Sequence, residues 1–233
     1  MKSAEIDKFG ILIPHEKYKY TRTNTTPNKH VFKDFYPGGC RITVSSKVVK
    51  NYNDFGKIEV DNILYFPFAI KAATGIEISL ETLLNSQLYW LDVKVDAHNQ
   101  TSLNNQEVLS VLREIAYSKT MKIEVLTYGK DKGFENSVLI KSSAKSVKDS
   151  LEIYLKIPEI YAKRFDYPDY FSNFSKDFFT ENTDIIRFER RLQCSKAIKK
   201  AFHMKNKSKV TLNDIFESNC NVVAERIREL FLI

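Results

Sequence analysis

The sequence has few of the residues that build disulfide frameworks and histidine metal sites. Its three cysteines, Cys40, Cys194 and Cys220, are widely separated and odd in number. Neither a disulfide scaffold nor a zinc site of paired Cys-x-x-Cys type is therefore supported, and a reducing, cytoplasmic setting is expected. The four histidines are scattered without a His-x-His pair, which disfavours a histidine-based metal site.

Long hydrophobic runs are also lacking. No window approaches the roughly 18 apolar residues that a membrane span requires, so we expect no membrane partner. Near the N-terminus, Asp7, Lys8 and Pro14 interrupt the short apolar run, and a signal peptide is not predicted. In contrast, 43% hydrophobic and 12% aromatic residues in a chain of 233 suffice for a packed core, which excludes a disordered protein.

Positive charge is concentrated in one stretch. The chain has a formal net charge of +7, and the stretch from Arg187 to Lys209 has nine basic residues and one acid, Glu189. An excess of this kind favours an anionic partner such as nucleic acid or a membrane surface.

The pattern of apolar and polar residues predicts a mixed chain. Alternation predicts strands at about 5–13, 41–50, 57–66, 88–97, 121–128, 137–142, 150–157 and 184–193. Helical spacing predicts helices over 105–119, over 79–87, from about 195, and over 211–230 with Thr211 as N-cap. Residues 23–39 and 162–183 break the pattern, the second being a packed loop or irregular helix.

These elements predict an α+β fold with a largely antiparallel sheet and helices packed on one face. Residues 1–204 are expected to form the main domain, and 205–233 a C-terminal helix that packs on it or extends it.

Three of the predicted strands present polar side chains on one face. Because side chains alternate along a strand, a shared sheet would collect a tyrosine with carboxylates and basic groups on its uncovered face. Carboxylates suit Mg²⁺ or Mn²⁺, which polarise phosphate, and a tyrosine beside them can attack phosphorus. A solvated polar face without chemistry is the alternative interpretation. The residues on this face are Asp92, Lys94, Asp96, Glu152, Tyr154, Lys156, Arg187, Glu189 and Arg191.

Four segments together resemble the rolling-circle replication initiators of filamentous phages, which are related to the nickases of small plasmids. They are "EIDKFGILIP", "LYWLDVKVD", "IYLKIPEI" and "IIRFERRL", in the family's order within residues 5–193. Trp90-Leu91 stands where the family usually has arginine and isoleucine. The resemblance implies a metal-dependent, site-specific DNA nickase whose tyrosine stays joined to the 5′ phosphate and leaves a free 3′ hydroxyl.

Carried onto this sequence, the resemblance implies that Tyr154 is the nucleophile, with Lys156 and Glu159 in the same element. Asp92 and Glu189 would be ligands of Mg²⁺ or Mn²⁺, and the polar face adds Asp96 as a further ligand. The implied setting is the cytoplasm of a bacterial host. Origin DNA is the expected partner, and a second copy of the chain and a host helicase or polymerase are candidate partners. The expected DNA-binding residues are Arg187, Arg190, Arg191, Lys196, Lys199 and Lys200.

Two other functions stay open at this point. One is a DNA-binding regulator on the same fold whose site does not cut, and the other is a basic scaffold protein without a nucleic-acid role. Within the nickase hypothesis, Tyr161, Tyr167 and Tyr170 are rival nucleophiles.

Overall fold

A computed structural model describes residues 5–20, 30–48, 57–118, 122–126, 137–141, 148–162, 164, 172, 174 and 176–231. The chain divides into two compact units. The N-terminal unit comprises Glu5–Asp92 and Leu192–Cys220, and the central unit comprises Val93–Arg191 and Asn221–Ile233. The domain boundary expected between residues 204 and 205 stays a prediction.

The described residues form ten strands and eight α-helices. The strands are β1 (Glu5–Pro14), β2 (Lys19–Tyr20), β3 (Val31–Tyr36), β4 (Gly39–Ser45), β5 (Ile76–Glu77), β6 (Gln87–His98), β7 (Lys122–Leu126), β8 (Ser137–Lys141), β9 (Asp149–Leu155) and β10 (Ile185–Leu192). The helices are α1 (Phe66–Thr74), α2 (Leu80–Asn85), α3 (Asn105–Ser118), α4 (Lys156–Ala162), α5 (Lys176–Glu181), α6 (Ser195–Ala201), α7 (Leu212–Phe216) and α8 (Val222–Phe231). None of these helices is long and apolar enough to cross a membrane.

In the N-terminal unit, the strand order is β3-β4-β1 followed by the first half of β6. Strand β4 pairs antiparallel with both β3 and β1, and Ile11 lies opposite Ile42. The first residue of β4 must be a glycine, because a Cβ on Gly39 would lie 2.0 Å from the Ile13 carbonyl oxygen. Phe9, Ile11 and Ile13 of β1 are fully buried in the core of this unit.

In the central unit, the order is the second half of β6, then β10, β9, β8 and β7. Strand β8 pairs antiparallel with both β9 and β7. Helix α3 packs on β7, β8 and β9, and α8 packs on α3. The α+β prediction with a largely antiparallel sheet and helices is confirmed.

Most predicted strands are present, but the strand predicted over 57–66 is wrong. Ile58 makes only an isolated bridge to Ile6, and the chain continues into a 3₁₀ helix at Ile63–Tyr65 and then α1. Pro67 explains this outcome, since proline is favoured in the first turn of a helix, where its missing N–H has no bond to make. Conversely, β3 lies within residues 23–39, where the sequence pattern predicted neither a strand nor a helix.

The helix predicted over 211–230 is interrupted. Thr211 is the N-cap as predicted, and it forms a capping box with Asp214. However, α7 ends at Phe216, and α8 begins only at Val222. The two pieces belong to different units. Helix α5 lies inside the segment predicted as a packed loop or irregular helix.

Candidate active site

Tyr154 lies near the end of β9, in the central unit, and is buried at 5% relative exposure. Its hydroxyl donates a hydrogen bond of 2.8 Å to Glu189 Oε2 on β10. Alternation along the two strands produces this contact, because Tyr154 and Glu189 belong to the polar sides of adjacent strands. The two residues that the resemblance assigns to nucleophile and metal ligand are therefore in direct contact.

Arg191 binds the second carboxylate oxygen of Glu189. Its Nε donates to Glu189 Oε1 at 2.8 Å, and its Nη2 lies 2.5 Å from Glu152 Oε2. Both carboxylates are buried, whereas the Arg191 side chain is about one-third exposed. The guanidinium thus bridges two carboxylates and fixes the orientation of Glu189 toward Tyr154.

Lys156 and Glu159 form a second buried pair. The structure ends β9 at Leu155 and begins α4 at Lys156, so the strand predicted to reach residue 157 is two residues shorter. The helical turn brings Lys156 Nζ to 2.7 Å from Glu159 Oε2, with the two residues only 1% and 3% exposed. Burial, helped by the nearby Arg187 charge and opposed by Glu159, lowers the pKa of Lys156 to about 8.

Arg187 is engaged with Asp96. Its Nε and Nη2 each donate a 2.6 Å hydrogen bond to one carboxylate oxygen of Asp96. Burial raises the pKa of Asp96, but the Arg187 guanidinium outweighs this effect and holds the pKa below its ordinary value. Arg187 is buried by this bidentate pair, so its placement does not suit the expected contact with DNA.

Arg190 is also buried rather than available to DNA. Its Nε and Nη2 donate to Asp149 at 3.1 and 2.8 Å, and its Nη1 donates to the Val222 carbonyl oxygen at 2.7 Å. Val222 is the first residue of α8. Arg190 therefore ties β10 to β9 and to the start of the C-terminal helix, which is a structural role.

The three lysines expected to bind DNA lie on α6 in the N-terminal unit. Lys196 and Lys200 are exposed, and Lys199 is half-buried and donates to the Ser208 carbonyl oxygen at 2.6 Å. Among the six basic residues expected to contact DNA, Lys196 and Lys200 are the two most open to a phosphate backbone.

The side chains that were expected to bind the metal do not form a preformed metal site. Asp92 belongs to the N-terminal unit, where it accepts a 2.7 Å hydrogen bond from Trp90 Nε1. Asp96 is paired with Arg187, and Glu189 with Tyr154 and Arg191. We looked in each unit for three His, Cys, Asp or Glu side chains whose ligand atoms all lie within 4.8 Å of one another. Among the described residues, neither unit contains such a group. The residues in this arrangement do not fit a preformed carboxylate cage.

The polar face is buried, not uncovered as the sequence suggested. Tyr154, Glu152 and Glu189 are at most 5% exposed, and Lys94 on β6 is fully buried. Burying ionised groups is costly unless they are paired, which explains why Glu152 and Glu189 share Arg191. A cluster of this kind is a mark of functional sites, although structural ion-pair networks also produce it.

Sequence reasoning placed Glu152 on this face but gave it no role, and it did not single out Asp149. The sequence feature that indicates both carboxylates is the pair of adjacent arginines in β10. Adjacent residues of a strand point to opposite sides, so Arg190 and Arg191 need separate carboxylates on the neighbouring strand. Among the rival tyrosines, Tyr161 lies on α4 and is 42% exposed, while Tyr167 and Tyr170 lie outside the described residues.

Comparisons with known proteins show a distant likeness to a solved structure and no family. No family model matches the chain, and no curated protein matches it. A solved rolling circle replication initiator protein from Geobacillus stearothermophilus is similar at 11% identity and a TM-score of 0.43, over 98% of this chain and 85% of that one. A likeness this distant does not assign the chain to a family, so its function rests on its own residues.

Proposed function

We propose that this chain is a rolling-circle replication initiator of a phage or plasmid, which nicks and rejoins one DNA strand through a phosphotyrosine at Tyr154. The observation that carries the proposal is the 2.8 Å hydrogen bond from the Tyr154 hydroxyl to Glu189 Oε2. A nucleophile and a base within hydrogen-bond reach, with the base oriented by a third group, is the arrangement that nucleophilic catalysis requires. Arg191 is the third group here.

In the proposed step, the Tyr154 oxygen attacks a phosphodiester phosphorus and the phenol proton passes to Glu189. The bond from phosphorus to the 3′ oxygen breaks as the bond to tyrosine forms, and the 3′ oxygen takes a proton from water. The new ester retains the bond energy, so the reverse reaction rejoins the strand.

Lys156 supplies positive charge near this reaction. Its Nζ lies 5.9 Å from the centroid of the Tyr154 ring. With a pKa of about 8, the amine is largely protonated at neutral pH. A fixed cation in a buried site stabilises developing negative charge more strongly than one in water does. In this proposal Glu159 is a positioning residue, since it holds the Lys156 ammonium.

Metal dependence stays a prediction. Mg²⁺ or Mn²⁺ held by Asp92, Asp96 and Glu189 would polarise the phosphate, but those side chains have other partners in this structure. Binding of a metal requires at least Glu189 or Asp96 to exchange a partner.

One observation favours a second candidate, a DNA-binding regulator that does not cut. At 5% exposure, the Tyr154 phenol is closed to a DNA strand in this conformation, so nicking requires local opening around it. A regulator needs no such opening.

A covalent trapping experiment separates the two candidates. The purified protein is incubated with a 3′-labelled, random-sequence single-stranded DNA pool and added Mg²⁺ or Mn²⁺, and is then run on a denaturing gel. A nickase transfers label to the protein band, whereas a regulator binds the pool on a native gel but shows no label after denaturation. Absence of both signals contradicts both candidates.

A further inference from the structure

The N-terminal unit presents half-exposed aromatic rings beside a lysine on strand β3. Tyr20 and Phe35 are 48% and 45% exposed, and their ring centroids lie 5.3 Å apart in an edge-to-face arrangement. Lys33 Nζ lies 4.9 Å from the Tyr20 centroid and 5.8 Å from the Phe35 centroid. We call Tyr20, Lys33 and Phe35 the aromatic face.

The charge of Lys33 remains available to a ligand. Its ammonium donates to the Thr74 carbonyl oxygen at the end of α1, at 2.5 Å, rather than to a carboxylate. Lys19, next to Tyr20 on β2, is exposed and basic. On the other side of β3, the guanidinium of Arg41 lies 5.5 Å from the Tyr36 centroid, with Asp34 at 3.7 Å.

The position of β3 makes this face accessible. β3 is the terminal strand of the described order, beside β4, and four of its six residues are exposed. Large exposed aromatics next to a lysine whose ammonium donates to a carbonyl oxygen are unusual for a solvated sheet edge, where charged residues alone suffice to prevent pairing. The aromatic rings provide flat apolar surfaces, and the neighbouring lysine provides positive charge.

We propose that the aromatic face binds single-stranded nucleic acid, with unpaired bases stacked on Tyr20 and Phe35 and a phosphate near Lys33. Base stacking on an aromatic side chain contributes about 1–3 kcal/mol per base and tolerates any base, since each has a π-face. The lysine adds the phosphate attraction that a protein ligand does not need. This inference is independent of the nicking proposal, because stacking requires no catalytic residue.

The test compares two labelled probes by fluorescence anisotropy: an oligothymidylate, and an abasic oligonucleotide of the same length. We expect Phe35→Ala to weaken oligothymidylate binding about tenfold, which corresponds to about 1.4 kcal/mol, and to leave abasic binding unchanged. Phe35→Trp should retain binding, and Phe35→Leu should lose it, which separates stacking from simple apolar volume. Lys33→Ala should weaken both probes.

The matched control is Tyr117→Ala, an aromatic residue on α3 in the central unit that is 53% exposed; it should bind both probes as wild type does. If Phe35→Ala weakens the binding of both probes equally, or weakens the binding of neither, the stacking assignment is wrong. A change in oligomeric state of Phe35→Ala without any effect on oligothymidylate binding would also overturn it and would identify this edge as a contact between copies. The covalent trapping experiment is unaffected by either result, so the two proposals fail separately.

Discussion

Lys156 Nζ and Glu159 Oε2 lie 2.7 Å apart at the start of α4, and both residues are almost completely buried. The pair exists because β9 changes to helix at Lys156, so that residues three apart face each other. Burial disfavours the lysine charge more than Glu159 favours it, and the pKa falls from 10.5 to about 8.

The pH dependence of stability should reveal this shift. Since the folded pKa of Lys156 is lower than the unfolded one, the unfolded chain binds the extra proton between pH 8 and 10.5, and stability rises with pH in that window. We expect wild type to gain up to about 3 kcal/mol relative to Lys156→Gln as pH rises through it. Urea unfolding at several pH values measures the difference. Parallel curves for the two proteins would contradict the assignment.

Arg191 should be required because two buried carboxylates depend on it. Arg191→Met leaves Glu152 and Glu189 without their shared cation, and we expect a loss of about 3 kcal/mol in the free energy of unfolding. Adding Glu152→Gln removes one of the two charges and should restore much of that loss. A double variant as unstable as Arg191→Met alone would show that Arg191 acts through packing rather than through the carboxylates.

Some features of this site follow from the local sequence pattern, and others depend on tertiary contacts. Alternation in β9 and β10 was enough to place Tyr154 and Glu189 on one side, because the period of a strand is fixed by its backbone. It did not predict that the face is buried, since burial depends on elements distant in sequence. Alternation also could not distinguish Arg187, held by Asp96, from an arginine open to DNA.

Two errors in the predicted elements have different physical origins. Residues 57–66 have the alternation of a strand, but the helix-favouring Pro67 follows immediately, and tertiary context decides between the two. Strand β3 was missed because its side chains are mostly exposed, so no apolar face distinguishes it from a loop. The same exposure makes it a candidate binding surface.

A divalent metal should be required for covalent adduct formation. We expect EDTA to abolish the labelled protein band and added Mg²⁺ or Mn²⁺ to restore it. Asp92→Asn should abolish the adduct while DNA binding on native gels persists, because a lost ligand charge weakens metal binding without emptying the core. Glu189→Gln should also abolish it, since this change removes the proposed acceptor of the phenol proton together with the ligand charge. Asp34→Asn, at an exposed carboxylate, is the control and should remain active. Full activity in EDTA would rule out the metal.

DNA affinity should depend on salt through α6. Each phosphate contact contributes roughly −0.7 to −0.9 to the slope of log affinity against log salt concentration. Lys196 and Lys200 are exposed on α6, so replacing both by alanine should flatten the slope by about 1.4 to 1.8. Replacing Lys199 as well should add less, because its ammonium is already bound to Ser208. Filter binding of the random DNA pool measures the slope, and an unchanged slope would make α6 merely a solvated helix.

The most direct test of the central claim is to map the covalent adduct by mass spectrometry in wild type, Tyr154→Phe and Tyr161→Phe. Tyr154→Phe removes one oxygen and the hydrogen bond to Glu189, so the ring still fills its site. We predict that the nucleotide is attached to Tyr154 in wild type and in Tyr161→Phe, and that Tyr154→Phe binds DNA but forms no adduct. An adduct that persists in Tyr154→Phe, or that maps to Tyr161, Tyr167 or Tyr170, would contradict the assignment of Tyr154 as the nucleophile.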